Sequence, residues 1–272
     1  MQKPVSAKIL PRVITALVGI PLLVLFIGWG RPWHFSVLVF SITAGGLWEY
    51  FSMAFPAGGL ERCLGVIFGV LLSLGILIPG FPEPGLWLGI VTSAAFSAYL
   101  FLGKELEERF KILGWSLAGA VYIGYLVPHW VILYRLPEGK SWVFFLLLVV
   151  MAGDTAAYFV GTSFGRKKLW PEVSPGKTIE GALGFLGGSV IAGVLGGRFL
   201  LPAISGVETL FLALVASVLG QIGDLFESWL KRVFCVKDSG FLLPGHGGVL
   251  DRIDSLIFPV VFTSYYLRLI HS

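Results

Sequence analysis

Residues 228–254 read SWLKRVFCVKDSGFLLPGHGGVLDRID and separate two long apolar runs of the chain. Basic residues, carboxylates, a histidine and several glycines crowd into this segment, whereas the residues on either side are mostly hydrophobic. Charge held next to a membrane is expensive and normally serves a function. The segment therefore predicts a polar site at the edge of a membrane-embedded bundle.

The composition of the whole chain supports an integral membrane protein. Of its 272 residues, 56% are hydrophobic and only 13% are charged, whereas an average soluble domain is about 25% charged. A spanning helix needs about 20 apolar residues, and the sequence supplies enough for a polytopic all-α bundle of about nine transmembrane helices. The predicted spans cover residues 11–29, 34–55, 63–80, 85–103, 112–134, 141–163, 179–200, 207–231 and 250–270.

The distribution of basic residues predicts the orientation of the bundle. Residues 28–31 (Gly-Trp-Gly-Arg) make a poor cleavage site, so the first span is read as an uncleaved helix. With nine spans, 15 of the 20 Lys and Arg residues fall on the same side as the N-terminus. The five on the other side are Arg31, Arg135, Lys140, Arg198 and Arg268. The positive-inside rule then places the N-terminus and loops 164–178 and 232–249 in the cytoplasm, in a multi-pass cytoplasmic (inner) membrane protein.

Polar residues are distributed unevenly between the two halves of the chain. Residues 1–134 hold few intramembrane charges and are interpreted as scaffold helices, with Glu49 and His129 as isolated polar residues. Residues 135–272 are interpreted as a catalytic transmembrane region with cytoplasmic loops. The two cysteines match no zinc-binding spacing, so both are predicted to be free thiols. The net charge of +4 is attributed to membrane topology, so no nucleic-acid partner is expected.

Carboxylates concentrate on the last two predicted spans. Asp224 lies in an otherwise apolar helix and shares one face with Glu227, Ser228 and Lys231 by helical spacing. If the two helices pack side by side, three aspartates could converge: Asp224, Asp251 and Asp254. Two or three carboxylates together with substrate phosphates are the usual way to hold Mg²⁺. The alternative for Asp251 and Asp254 is helix capping, because a helix N-terminus favours negative charge.

The link between these spans is rich in glycine. Glycines let backbone N–H groups approach an anion closely, and Lys237 and His246 could contact phosphates. The alternative is a tight turn in which the glycines have only a steric role.

A second polar cluster begins with Asp154 inside an apolar span, where an ionisable residue points to function or to a structural partner for a base. The following loop carries Arg166, Lys167 and Lys168. Gly176-Lys177-Thr178 resembles the end of a P-loop, but Pro171 occupies a required glycine position and no strand is predicted before it, so that fold is rejected. A Gly-Lys-Thr before a helix still favours phosphate binding. The alternative for Lys167 and Lys168 is attraction to lipid headgroups.

Together these motifs resemble the phosphatidate cytidylyltransferases, also called CDP-diacylglycerol synthases. The signature of that family has a Ser, a Lys-Arg pair, a Lys-Asp pair, Pro-x-His-Gly-Gly and Asp-Arg-x-Asp. This sequence supplies those positions as Ser228, Lys231, Arg232, Lys237, Asp238, Pro244, His246, Gly247, Gly248, Asp251, Arg252 and Asp254. The motifs are confined to about residues 154–254, while the length and the number of spans suit the whole family.

The resemblance implies that CTP and phosphatidate react to give CDP-diacylglycerol and pyrophosphate. It also implies Mg²⁺, room for a second cation such as K⁺, a homodimer, and contact with membrane lipids. In this scheme Asp224, Asp251 and Asp254 hold the metal and, with Lys177, form the catalytic group. The substrate-binding residues are Arg166, Lys177, Ser228, Lys231, Arg232, Lys237, His246 and Arg252.

Two other classes of protein are weighed against this interpretation. A transporter would use intramembrane aspartates such as Asp154 and Asp224, but the charges cluster at one membrane edge and no repeated halves are evident. The CDP-alcohol phosphatidyltransferases carry an Asp-Gly-x-x-Ala-Arg motif, which this sequence does not contain.

Overall fold

The computed structural model describes Gly19 and residues 21–81, 83–242 and 247–271. Helical backbone covers residues 21–28, ahead of the labelled elements. The helices are α1 (Pro32–Ala54), α2 (Leu60–Leu77), α3 (Pro84–Leu100), α4 (Leu106–Gly119), α5 (His129–Arg135), α6 (Gly139–Phe164), α7 (Ile179–Leu200), α8 (Gly206–Val233) and α9 (Leu250–Ile270). A π-helical segment, Ala120–Tyr125, continues α4.

Within this described part, seven helical runs are long and apolar enough to cross a membrane. They are α1, α2, the run Leu106–Arg135, α6, α7, α8 and α9, while α3 is a shorter apolar helix. The predicted all-α polytopic membrane fold is confirmed, and every predicted span from 34–55 onward overlaps one of these elements. Residues 11–18 and 20 of the first predicted span, 11–29, lie outside the described residues.

The chain divides into two compact units. The first comprises the described residues up to Val131 together with the segment from Val236 to Asp251, and the second comprises Ile132–Cys235 and the residues from Arg252 onward. The sequence-based division after residue 134 lies close to the first of these boundaries. Residues 236–251, however, belong with the first unit, because hydrogen bonds to Glu49 tie them to α1.

The first unit is built around large side chains of α1 that pack onto glycines. Leu47, Tyr50 and Phe51 are fully buried. Leu47 packs onto Gly69 of α2, and Tyr50 packs onto Gly119 of α4. Small residues at helix contacts let backbones approach closely, and in lipid this close packing replaces the hydrophobic effect as the cause of association.

The second unit uses the same device between α6 and α7. A Cβ at Gly184 would lie 2.7 Å from Val160, and one at Gly188 would lie 2.5 Å from Ala156. Helices α8 and α9 also meet closely, because Gly223 faces the backbone carbonyl of Asp254. This contact brings the acidic part of α8 next to the first turns of α9.

A short β-hairpin connects α6 to α7. Strands β1 (Lys168–Trp170) and β2 (Ser174–Thr178) are antiparallel, with Lys168 opposite Thr178. The sequence predicted only a loop over 164–178, and that expectation is wrong for these residues. Pro175 argues against a strand, because proline has no N–H to donate to a neighbouring strand. A two-stranded hairpin tolerates it, since each of its strands has a free edge. The hairpin is not the strand-loop-helix unit of a P-loop, since Gly176-Lys177-Thr178 lies within β2 itself.

Candidate active site

A cavity of about 350 Å³ opens in the second unit between α6, the hairpin, α7 and α8. Small and apolar residues form much of its wall, and several side chains supply polar atoms. These polar lining residues are Asp154, Tyr158, Thr162, Lys177, Thr178, Gln221 and Asp224. A largely apolar pocket with a few convergent polar groups is the usual form of a small-molecule site.

Lys177 and Asp224, which both line this cavity, form an ion pair. The Nζ atom of Lys177 lies 2.7 Å from Oδ2 of Asp224, and both side chains are partly exposed. Lys177 comes from β2 and Asp224 from α8, so the pair joins the two polar clusters that the sequence singled out. The aspartate thereby holds the ammonium group among the residues that line the cavity, although the Nζ atom itself is buried.

Two further aspartates add negative charge near this pair. Asp154 and Asp254 each lie close enough to Asp224 to repel it. Asp254 is buried, and its Oδ1 atom accepts a hydrogen bond of 2.7 Å from the backbone N–H of Ser255. Lys177 and Arg252 partly offset the charge of Asp154. Such an arrangement of like charges favours a bound cation.

The donor set suits a hard divalent ion with few protein ligands. Across the residues that the structure describes, no three His, Cys, Asp or Glu side chains are grouped closely enough to hold a metal by themselves. Mg²⁺ is usually held by one or two carboxylates together with substrate phosphates. Asp224 and Asp254 therefore fit such an ion, provided that a phosphate completes its coordination.

The N-terminus of α7 borders the same cavity. Thr178 caps this helix, and its Oγ1 atom accepts a hydrogen bond of 3.1 Å from the backbone N–H of Gly181. The Glu180 carboxylate accepts hydrogen bonds from the backbone N–H groups of Arg166 (3.1 Å) and Lys167 (3.3 Å). These contacts fix the chain where it enters the hairpin, while the Arg166 and Lys167 residues are exposed.

Three predicted substrate-binding residues lie toward the end of α8. Ser228 is partly buried there. Lys231 forms an ion pair with the fully buried Glu227, one turn earlier. Nε of Arg232 donates a hydrogen bond of 3.1 Å to the carbonyl of Val173 in the hairpin turn. The structure thus gives Lys231 and Arg232 intramolecular partners, and their predicted contact with substrate stays a prediction.

The remaining predicted residues surround the glycine-rich link. Lys237 and Arg252 are exposed, and His246 lies outside the described residues. Asp251 belongs to the first unit, where Oδ2 accepts hydrogen bonds from the backbone N–H groups of Gly248 (2.8 Å) and Ser239 (3.2 Å). These bonds tie Asp251 to the link that precedes α9, and their donors are not the N–H groups of the first turn of α9. The metal-binding role of Asp251 remains a prediction.

Sequence reasoning missed Glu49. This residue is only 2% exposed and accepts hydrogen bonds from the Ser239 hydroxyl and from the backbone N–H groups of Val249 and Leu250. The sequence signal was a single carboxylate in an apolar helix, and its partners lie about 200 residues away in the chain. No local pattern connects the two.

The apolar helices and the polar-lined cavity define a polytopic membrane protein with a candidate small-molecule site. Residues 10–270 match the sequence model of the cytidylyltransferase family. Since this match covers nearly the whole chain, the protein belongs to that family.

Curated relatives agree with this assignment. A phosphatidate cytidylyltransferase of Bacillus subtilis is 38% identical over 86% of this chain and 89% of its own length. A phosphatidate cytidylyltransferase of Brucella suis is 36% identical over 90% of this chain and 88% of its own length. A phosphatidate cytidylyltransferase of Synechocystis sp. is 34% identical over 95% of this chain and 96% of its own length. The similarity therefore extends over both units.

Proposed function

We propose that this protein transfers the cytidylyl group of CTP to phosphatidate, forming CDP-diacylglycerol and pyrophosphate. The observation that carries the proposal is the Lys177–Asp224 ion pair at a cavity wall, beside the contact between Gly223 and the Asp254 backbone. Family membership and relatives named for this activity support it.

In this reaction an oxygen of the phosphatidate phosphate attacks the α-phosphorus of CTP. The bond from that phosphorus to the β-phosphate oxygen breaks, and pyrophosphate leaves. The main barrier is repulsion between anions, so positioning and charge neutralisation supply most of the catalysis. Lys177, fixed by Asp224, offsets phosphate charge at the cavity. No covalent nucleophile is required, and the ionised phosphate of the lipid needs no strong general base.

The other predicted residues bind or orient the substrates. Arg166, Lys237 and Arg252 bind phosphates, while Ser228 and His246 orient the ligands. Lys231 and Arg232 favour the headgroup of phosphatidate. Lys231 is held by Glu227 and Arg232 by Val173, and both residues lie at the end of α8 that adjoins the polar link.

Magnesium dependence is a further part of the proposal. Asp224 and Asp254 would hold Mg²⁺, and when bound this ion would neutralise phosphate charge and align the attack on phosphorus. Asp251 stays a predicted third ligand, and a second cation such as K⁺ is also proposed. Removing Mg²⁺ with EDTA should abolish turnover, and adding it back should restore turnover.

The cellular setting follows from the same reaction. We place the protein in the cytoplasmic membrane with its site toward the cytoplasm, because CTP is supplied from that side and most basic residues are predicted to face it. The acyl chains of phosphatidate stay in lipid while its phosphate reaches the membrane edge. A homodimer is proposed on the family resemblance. The molecular mass of the purified protein in detergent, corrected for bound detergent, tests this proposal.

The deciding experiment measures pyrophosphate release by purified protein with phosphatidate, CTP and Mg²⁺. Release should require all three components and should fall at least about 100-fold in Asp254→Asn, by analogy with the loss of a main electrostatic group in other active sites. The matched control is Glu107→Gln, because Glu107 is an exposed carboxylate that pairs with Lys111 outside the cavity. Absence of turnover in well-folded wild-type protein, together with ion flux in liposomes, would overturn the proposal in favour of a transporter.

A further inference from the structure

The buried carboxylate of Glu49 is the acceptor for three hydrogen bonds from the glycine-rich link. Oε1 accepts from the Val249 N–H at 2.9 Å, and Oε2 accepts from the Leu250 N–H at 2.9 Å. Oε2 also accepts from the Ser239 hydroxyl at 3.2 Å. Hydrogen bonds to an ionised group are roughly twice as strong as neutral ones. Glu49 therefore anchors both ends of this link to α1.

Two glycines of the link make room for the carboxylate. A Cβ added at Gly240 would lie 2.5 Å from Oε1 of Glu49, and one at Gly248 would lie 2.6 Å from Oε2. The three atoms nearest to the Gly240 position all belong to Glu49. Backbone and carboxylate thus fit each other closely on both sides of the link.

Asp251 joins the same two ends from within the segment. It accepts hydrogen bonds from the backbone N–H groups of Ser239 and Gly248. Ser239 therefore donates its N–H to Asp251 and its hydroxyl to Glu49. Both carboxylates therefore accept hydrogen bonds from the same two short segments of the link. The position of the Asp251 side chain depends on how Glu49 holds those segments.

We propose that Glu49 is a positioning residue for cytidylyl transfer, a role that rests on the proposed function. It does not touch the substrates. Its carboxylate fixes Ser239 and Gly240 against Gly248, Val249 and Leu250, and through them fixes Asp251. A displacement of about 1 Å in groups that align reactants can cost about 100-fold in rate, so a loosened link lowers kcat even when the protein stays folded.

The principal variant is Glu49→Gln, which keeps the shape but replaces one acceptor oxygen by a donor group. We expect kcat to fall at least tenfold, with an unfolding temperature in detergent close to that of the wild type. Hydrogen exchange should accelerate at residues 239–242 and 247–250 and stay unchanged in α2. Glu49→Asp keeps the charge and should recover part of the lost activity, which also covers the case in which the Gln variant folds poorly.

The matched control is Thr43→Val in the same helix. Thr43 is fully buried, and its hydroxyl donates only within α1, to the carbonyl of Val39. This variant tests the effect of a buried polar change that does not reach the link, and its kcat should stay within about twofold of the wild type. An equal loss of kcat in both variants would overturn the proposal, because it would reduce Glu49 to a general stabilising residue.

A double-variant comparison tests the contact itself. Gly240→Ala should lower kcat in the wild-type background, since its new methyl group meets the carboxylate. In a Glu49→Ala background the same change should have little further effect, because the space is then open. Additive effects would contradict the inferred contact.

The two proposals can fail separately. Wild-type protein without CTP-dependent turnover would defeat the proposed function and the positioning role with it, whatever the exchange data show. Active wild type with Glu49→Gln kcat within about twofold would overturn the positioning role alone. The exchange measurement reports the anchor independently of turnover.

Discussion

Lys177 owes its position to an ion pair with Asp224. Its ammonium group lies 2.7 Å from Asp224, and Lys177 belongs to β2, which ends at Thr178 immediately before the first residue of α7. A lysine with three flexible donors is ordinarily a mobile point charge. The ion pair removes that freedom and fixes the charge among the residues that line the cavity.

Replacing Lys177 by glutamine should reduce turnover strongly. We expect kcat/KM for CTP to fall about 100-fold, since the variant loses the charge that offsets phosphate. Lys177→Arg should retain more activity than Lys177→Gln, because it keeps the charge and can still reach Asp224. Initial rates of pyrophosphate release provide the measurement, and equal rates for the two variants would contradict a role for the charge.

The carboxylates show where residue-level prediction succeeds and where it stops. The fixed period of a helix allowed Asp224 to be placed on one face of its helix, but only the structure shows that this helix meets α9 near Asp254, through the close contact at Gly223. Glu49 was not readable, because its importance comes from partners distant in sequence. Burying a carboxylate in an apolar helix costs free energy, so a lone acid there indicates a function, but the sequence does not show which residues pair with it.

Helices α6 and α7 depend on close contact along their glycine positions. Gly188 meets Ala156 and the backbone carbonyl of Ala152, whereas nothing lies within 4 Å of a Cβ at its neighbour Gly187. Two adjacent residues of one helix therefore face opposite environments. An alanine at Gly188 tests the packing, whereas an alanine at Gly187 tests helix propensity alone.

Gly188→Ala should destabilise the second unit by about 1–3 kcal/mol, the usual cost of overpacking a tight contact. Gly187→Ala should be neutral or slightly stabilising, because alanine favours helix by about 1 kcal/mol where space is open. Thermal unfolding of both variants in the same detergent provides the comparison. A loss of stability in Gly187→Ala equal to that in Gly188→Ala would refute the inferred packing.

The cap of α7 gives a prediction at the end of an element. Thr178→Ala removes the oxygen that accepts from Gly181 and should cost about 1 kcal/mol, while Thr178→Ser keeps that oxygen and should cost less. The unfolding temperature should fall more for Ala than for Ser. Because Thr178 also borders the cavity, the assay should record activity alongside, and identical behaviour of the two variants would argue against capping.

At the scale of the whole molecule, hydropathy alone located the described spans. Their length and apolar content follow from the thickness of the bilayer, so a sequence window finds them well. The hairpin escaped prediction because it is short and contains proline and glycine. The attachment of residues 236–251 to the first unit also escaped it, because contacts between distant segments leave no periodic signal.

The orientation in the membrane can be tested with the native thiols. Cys63 and Cys235 are both free and exposed. In a Cys63→Ser background, a membrane-impermeant thiol reagent should label Cys235 in inverted vesicles and not in intact spheroplasts, because the loop after α8 is predicted to be cytoplasmic. A cysteine introduced at Ala203, in the exposed link between α7 and α8, should show the opposite pattern. Reversed labelling at both sites would invert the proposed topology.

The Glu49 anchor also sets an order of events during biosynthesis. Val249 is 200 residues downstream of its acceptor, so at about 5–20 residues per second the ribosome adds it roughly 10–40 s after Glu49. Until then α1 carries a carboxylate whose final donors have not yet been made. The first unit can therefore complete its hydrogen bonds only when synthesis is nearly finished.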